Sequence, residues 1–237
     1  MEQDHFYRLK ESNAFFDRWK KDYKENNQII LRDHKKTILK TLKNNINLRS
    51  LKVLEIGSFI SDLLYFLKKD YNCKISGVEP SSKAVKFALK KYKIKINNKT
   101  FYNSEFFGFK KKLKKKFDLI ICDDVLSWID REIILETLSS LNWILKDNGY
   151  IFLRDFCPKN SFSHINHHWP NKKIYNFKVS DGHKSFFLNS GKYKTIFNKA
   201  YYTKKFQKIK IYNKESYRWS DTILQKTTKH QHKLIKF

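Results

Sequence analysis

From residue 53 onward, short apolar runs alternate with stripes of helical spacing. Val53-Leu54-Glu55-Ile56-Gly57 reads as a strand closed by Gly, and Ser61 or Asp62 offers an N-cap before Leu63, Leu64, Phe66 and Leu67. Lys74 to Val78 is a second strand, ended by Glu79-Pro80. Ser81 can cap a helix whose Val85, Ala88, Leu89 and Tyr92 fall at i, i+3, i+4 and i+7. Thr100 to Tyr102 is a short third strand, and Phe117 to Cys122 a fourth, apolar enough to be buried on both faces. Asp130 can cap a helix with Ile134, Leu138, Leu141 and Leu145 on one stripe, stopped by Asn148-Gly149, and Tyr150 to Leu153 is a fifth strand.

This regular alternation indicates a doubly wound, mostly parallel sheet. Residues 1–48 read as a separate helical cap, with Ile30, Leu31, His34, Ile38 and Leu42 spaced for a covered face, and 49–237 as the main domain. Residues 156–200 read as an irregular, then helical, substrate-side insertion. Gln207–Tyr212 and Trp219–Gln225 suggest a closing strand pair.

Composition narrows the class without naming a partner. Among 237 residues, 41% are hydrophobic, which excludes a disordered chain, and no apolar stretch approaches the length of a membrane span. The N-terminus lacks a basic segment followed by an apolar one, so no secretory signal is expected; three scattered Cys make no disulfide framework, and a cytoplasmic location is expected. The formal charge of +27 rests on 43 Lys against 7 Arg, beside 19 Asn and only 4 Ala. Residues with A/T-rich codons are inflated, so the basicity follows from composition, whereas a nucleic-acid footprint favours Arg. Lys110–Lys116 leads into the amino end of the fourth strand, away from the ligand rim, and reads as a solvated face. Neither a specific nucleic acid nor a membrane is expected as a partner, and oligomeric state is left open.

In such a sheet the ligand lies outside the carboxyl ends of the strands. The first strand ends in Glu55-Ile56-Gly57-Ser58-Phe59-Ile60-Ser61, where a dinucleotide site would need Gly in place of Phe59 and Ser61 to approach a pyrophosphate. A ligand without phosphates can use the single Gly57. Glu79 follows 24 residues after Glu55, at the tip of the second strand, where an acid can accept both ribose hydroxyls.

With Gly77-Val78-Glu79-Pro80, Phe117-Asp118-Leu119-Ile120 running to Asp124-Val125-Leu126, and Leu145-Lys146-Asp147-Asn148-Gly149-Tyr150, the chain resembles the class I, Rossmann-like family of methyltransferases dependent on S-adenosyl-L-methionine (SAM). The resemblance covers about residues 50 to 155 and implies a seven-stranded sheet with one antiparallel strand. It implies that Glu55, Gly57 and Ser58 hold the methionine end of SAM, Glu79 and Pro80 the ribose, and Asn103, Ser104 or Glu105 the adenine, with Asp123 and Asp124 beside the methyl group. Asp124, His164, His167 or His168 would take a proton if the acceptor is a hydroxyl. Asp155 and the histidines lack metal-ligand spacing, so no metal is expected. Phe15-Phe16-Asp17-Arg18-Trp19 and Tyr23 serve as a lid or as plain core. The expected activity is methyl transfer to a small-molecule acceptor, such as a sugar or related metabolite hydroxyl. The alternatives are an RNA methyltransferase, which lacks here a separate RNA-binding module, and a non-catalytic scaffold.

Overall fold

The computed structural model describes residues 5–19, 29–108, 117–166, 169, 171, 175–202 and 218–228. The expectations placed on Tyr23, Lys110–Lys116, His167, His168 and Gln207–Tyr212 lie outside the described residues.

A π-helical turn, Tyr7–Glu11, runs into α1, Ser12–Trp19, and α2 spans Asp33–Asn45. Then come β1 Lys52–Ile56, α3 Asp62–Tyr71, β2 Lys74–Val78, α4 Ser82–Tyr92, β3 Phe117–Asp123 and a 3-10 turn at Leu126–Trp128. After these follow α5 Ile134–Ile144, β4 Leu145–Phe156, β5 Phe162–Ile165, β6 Tyr175–Lys178, α6 Lys184–Asn189, β7 Tyr193–Tyr202 and β8 Arg218–Lys226. The main sheet has the order β2-β1-β3-β4-β8-β7. β2, β1, β3 and β4 are parallel, and β8 runs antiparallel to both its neighbours. β5 and β6 form a separate antiparallel hairpin.

Alternation along the strands supplies two cores. Val53, Leu119, Ile121, Phe152 and Ile223 face Ile38 and Leu42 of α2 and Leu63 and Leu67 of α3. Leu54, Ile56, Ile120, Ile151, Leu153 and Leu224 face Leu138, Leu141 and Ile144 of α5. Burying each such side chain contributes about 1.5–3 kcal/mol, which fixes the strand ends that carry the site.

Six strands are described where seven were expected. The third position is held by one parallel bridge, Val78 to Asn97, and not by Thr100–Tyr102, which lies in a turn. There the Thr100 hydroxyl accepts from the backbone N–H and side-chain amide of Asn103, a local alternative to strand pairing. The partner of β8 is Tyr193–Tyr202, so residues 156–200 contribute a hairpin, a short helix and an edge strand in place of a mainly irregular and helical segment. In the N-terminal region Ile30 is exposed, and Lys35 takes the covered position with Ile38 and Leu42. Ser81 caps α4, accepting from the Ala84 N–H at 3.1 Å, whereas α5 has no side-chain cap and Asp130 opens the preceding turn through its carbonyl. No helix among the described residues is long and apolar enough to cross a membrane.

Candidate active site

The loop from β1 to α3 folds against β2, with the Gly57 and Ser58 amides donating to the Val78 carbonyl at 2.9 and 3.1 Å. Three alternate residues take left-handed backbone: Gly57 at φ +67°, Phe59 at +50° and Ser61 at +60°. Gly57 has a second reason to be Gly, since a Cβ there would stand 2.5 Å from Cγ2 of Val125. For Phe59 and Ser61 the conformation costs about 1–2 kcal/mol each, and packing must overcome it. The Phe59 ring does so from the N-terminal side: it lies 5.2 Å from Phe15 and 5.9 Å from Phe16 of α1, with the Arg32 guanidinium 5.0 Å from its centroid. Phe15 and Phe16 of the expected lid therefore pack on the loop itself.

Glu79 fastens that loop. One carboxylate oxygen accepts from the Phe59 amide and the other from the Ser81 amide, both at 2.8 Å. Burial pushes its carboxyl up to about 7 despite these bonds. Pro80 lies beside it, and the Asn98 side chain donates to the Glu79 and Pro80 carbonyls at 3.0 and 3.1 Å. Ser58 is fully buried beneath the loop, 3.3 Å from the Ser61 hydroxyl. Asn103 and Glu105 are exposed; the Ser104 hydroxyl is buried and donates to the Phe101 carbonyl at 2.7 Å. Asn98 is brought against Glu79 by the bridge at Asn97, a placement that the 100–102 strand reading concealed.

At the ends of β1 and β3, buried Lys35 of α2 reaches Glu55 at 2.6 Å and Asp123 at 2.8 Å. Its stripe position, in register with Leu31, Ile38 and Leu42, was the available sequence signal. Burial raises Glu55 to about 7, with Lys35 opposing. Burial also works against the charge of Asp123, but Lys35 and Arg154 outweigh it and hold the carboxyl well below the usual range. Oε2 of Glu55 is buried and has no hydrogen-bond partner among the described residues. Arg32 grips Asp62 with 2.7 and 2.8 Å contacts, and Arg154 grips Asp221 on β8 with two of 2.7 Å.

Beyond β3 the chain turns sharply. Asp124 has φ +55°, strained for a non-Gly residue, and its amide donates to the Arg154 carbonyl at 2.8 Å. Burial, then Asp123 and Asp155, raises its carboxyl well above the usual range, with Lys178 and a Trp128 hydrogen bond opposing. Asp155 ties three segments together: it accepts from the Ser127 hydroxyl and the Phe156 amide at 2.8 Å, from the His183 amide at 2.9 Å, and pairs with His183 Nδ1. Burial opposes its charge, but His183 outweighs it and lowers its carboxyl. Tyr7 packs edge-on against Trp128 at 5.8 Å, and its hydroxyl accepts from the Asn166 amide at 3.3 Å. His164 sits on β5 with Nδ1 3.1 Å from the Ile165 carbonyl and Nε2 3.5 Å from the Asn176 side-chain amide. The structure thus gathers Glu55, Gly57, Ser58, Glu79, Pro80, Asp123 and Asp124 around the ends of three parallel strands. The sequence reading did not single out Lys35, Asn98, Tyr7, Trp128, Lys178 or His183.

Buried carboxylates gathered at the carboxyl ends of a doubly wound parallel sheet, beside a loop on which the N-terminal helix packs, mark the place where α/β enzymes of this kind bind their ligands. The family model described as a methyltransferase domain matches residues 23–219, and the chain belongs to that family: it is a class I methyltransferase dependent on SAM. Solved structures share the fold. 1,6-didemethyltoxoflavin-N1-methyltransferase from Burkholderia thailandensis, with 1,6-didemethyltoxoflavin and S-adenosylhomocysteine bound, superposes with a TM-score of 0.62 at 12% identity, over 94% of this chain and 90% of its own. Magnesium protoporphyrin IX methyltransferase from Synechocystis, with SAM bound, gives 0.60 at 17% identity over 94% and 95%. A SAM-dependent methyltransferase from Methanosarcina mazei gives 0.57 at 13% identity over 79% and 97%. No curated protein matches the sequence.

Proposed function

We propose that this chain methylates a small-molecule acceptor, in the cytoplasm, with SAM held between the β1 loop and Glu79 and the acceptor beyond Asp124. The observation that carries the reading is the loop itself: a glycine-type backbone kept left-handed at three alternate positions, two of them without Gly, and pinned to Glu79. Strain of this kind, held in place by the surrounding packing, clusters at ligand sites.

The residues suit SAM. Each Glu79 oxygen accepts one amide and keeps a lone pair for a ribose hydroxyl, with Pro80 alongside. The partnerless Oε2 of Glu55 can accept from an amino group, beside Gly57 and Ser58. Asn103, Ser104 or Glu105 would meet the adenine, and Asn98 the end of the pocket nearest Glu79. When bound, SAM supplies an already activated methyl on a sulfonium. The chain's own work is alignment and exclusion of water: Asp123 is charge-neutralised by Lys35, and Asp124, in its ionised form, receives the acceptor proton. His164, His167 and His168 remain the alternative proton acceptors.

The buried aromatic surroundings of Asp124 favour a small acceptor over RNA. The toxoflavin and magnesium protoporphyrin enzymes, whose folds this chain shares, are named for small acceptors, in keeping with this reading. Calorimetry with S-adenosylhomocysteine tests the cofactor half. Wild type should bind, and Glu79→Ala should weaken binding by about 1.5–3 kcal/mol, the worth of hydrogen bonds to a charged group. A wild-type protein with no affinity for SAM or S-adenosylhomocysteine would sink the proposal.

A further inference from the structure

Buried polar atoms without partners are few in folded proteins, and each leaves about 1–3 kcal/mol of hydrogen bonding unmade. Among the described residues three of the seven such side-chain atoms are Asp124 Oδ1 just after β3, Asn176 Oδ1 on β6 and Trp219 Nε1 on β8, where β8 pairs with the end of β4. The Trp219 ring lies against Phe156 at 4.0 Å, and the Lys178 ammonium stands 3.2 Å from the Phe156 centroid. Asn176 and Lys178 are alternate residues of β6, both buried and so on its inward face. Lys178 in turn lies within electrostatic reach of Asp124. Tyr7 and Trp128 close the same place from the N-terminal helix and the turn after β3.

From this juxtaposition we infer that the acceptor is a planar aromatic molecule carrying a phenol-type hydroxyl, seated among these rings with its hydroxyl against Asp124. The inference rests on the methyltransferase reading of the same site and goes beyond it by naming the substrate class. A sugar presents hydroxyls around its whole rim and needs a partner for most of them. Here four large aromatic rings, Tyr7, Trp128, Phe156 and Trp219, supply the apolar faces that a flat ring stacks on.

Acidity points the same way. Burial lowers Lys178 to about 8 and raises Asp124, so the carboxylate of Asp124 is a stronger base than an exposed one. A phenol, near 10 as in Tyr, gives up its proton far more readily than an aliphatic hydroxyl, which is closer to water at about 15.7. In the step, the hydroxyl proton passes to Asp124, the oxygen pair forms the new O–C bond, and the S–C pair stays on sulfur. Lys178 steadies the developing phenolate.

The test uses the full chain saturated with S-adenosylhomocysteine and three probes: 2-naphthol, its saturated counterpart decahydro-2-naphthol, and methyl glucoside. Tryptophan quenching reports occupancy, and naphtholate emission reports proton loss in the site. 2-Naphthol should bind at least about tenfold more tightly than the saturated alcohol, the worth of one or two ring contacts. Asp124→Asn should keep the quenching and lose the naphtholate signal, and Trp219→Phe, which keeps a ring, should weaken binding severalfold. Equal affinity for all three probes, tighter binding of the glucoside, or no 2-naphthol binding to protein that does hold S-adenosylhomocysteine would overturn the substrate class while leaving the cofactor reading standing. Failure to bind S-adenosylhomocysteine at all would remove both.

Discussion

At Phe59 a side chain does by packing what Gly does by lacking one. The ring is held by Phe15, Phe16 and Arg32 while the backbone stays left-handed. Phe59→Ala and Phe59→Gly should both lose about 3–5 kcal/mol from the missing ring. Their order should be reversed from the usual one: Gly escapes the left-handed cost of about 1–2 kcal/mol that Ala meets, which exceeds its own entropic handicap of about 0.5–1 kcal/mol. Denaturant melts of the two variants, compared with each other, check this. Glu55 and Glu79, both raised to about 7 by burial, give a pH signature as well. A carboxyl must be ionised to accept from an amino or hydroxyl group with both oxygens, so S-adenosylhomocysteine binding should tighten as pH rises through about 7 and then level. The stability of the ligand-free protein owed to these two groups runs oppositely: it is full below the ordinary carboxyl value of 4.5 and is lost as pH rises toward about 7. Calorimetry across pH, repeated on Glu79→Gln, should show the binding slope reduced in the variant. The need for an acid at positions 55 and 79 could be read from the residues, because a strand-end carboxylate is a local feature. Its burial could not, because that depends on which helix arrives above it.

The second helix, α2, shows why. Leu31, Lys35, Ile38 and Leu42 share one face, and three apolar members made the stripe legible. The basic member reads in isolation as a solvated Lys, the commonest residue in the chain. Only the pairing of β1 with β3, which sets Glu55 opposite Ile121 and so brings Asp123, two residues further on, to the same end, gives it a buried destination. Lys35→Met should therefore cost about 3–5 kcal/mol, since it leaves two buried carboxylates without their cation, and the denaturant midpoint should fall accordingly. Lys36→Met, one residue along on the exposed side, should change stability by no more than about 0.5 kcal/mol. Strands β1 to β4 and helices α3 to α5 were legible because each has its own period, but α5 ends at Ile144, and Leu145 and the expected stop at Asn148-Gly149 lie within β4. The third strand was not, because Asn97 contributes one bridge, and the β5–β6 hairpin was not, because its four-residue strands alternate too briefly to stand out.

Across the whole molecule the +27 charge is carried mostly by Lys spread along the chain. Mixed-sequence RNA should bind at about 10⁻⁴–10⁻⁶ M at physiological salt and lose affinity steeply as salt rises, the behaviour of unspecific phosphate contact. A salt-titrated filter or polarisation assay checks this, and a nanomolar complex with one particular RNA would promote the RNA-directed alternative. The position of β8 has a consequence for how the protein is made. It is the last described strand in the chain but the fifth of six across the sheet, hydrogen-bonded to β4 on one side and β7 on the other. While the chain emerges from the ribosome, the outer edge of β4 stays open and β7 has nothing to pair with, until residues 218–226 arrive to fill the gap. The Arg154 guanidinium, gripped by Asp221 once that strand is in place, waits through the same interval. A nascent chain halted before this strand would present an unpaired apolar edge to its neighbours on the same message, which makes the interval before residues 218–226 emerge the moment at which this sheet most needs a chaperone.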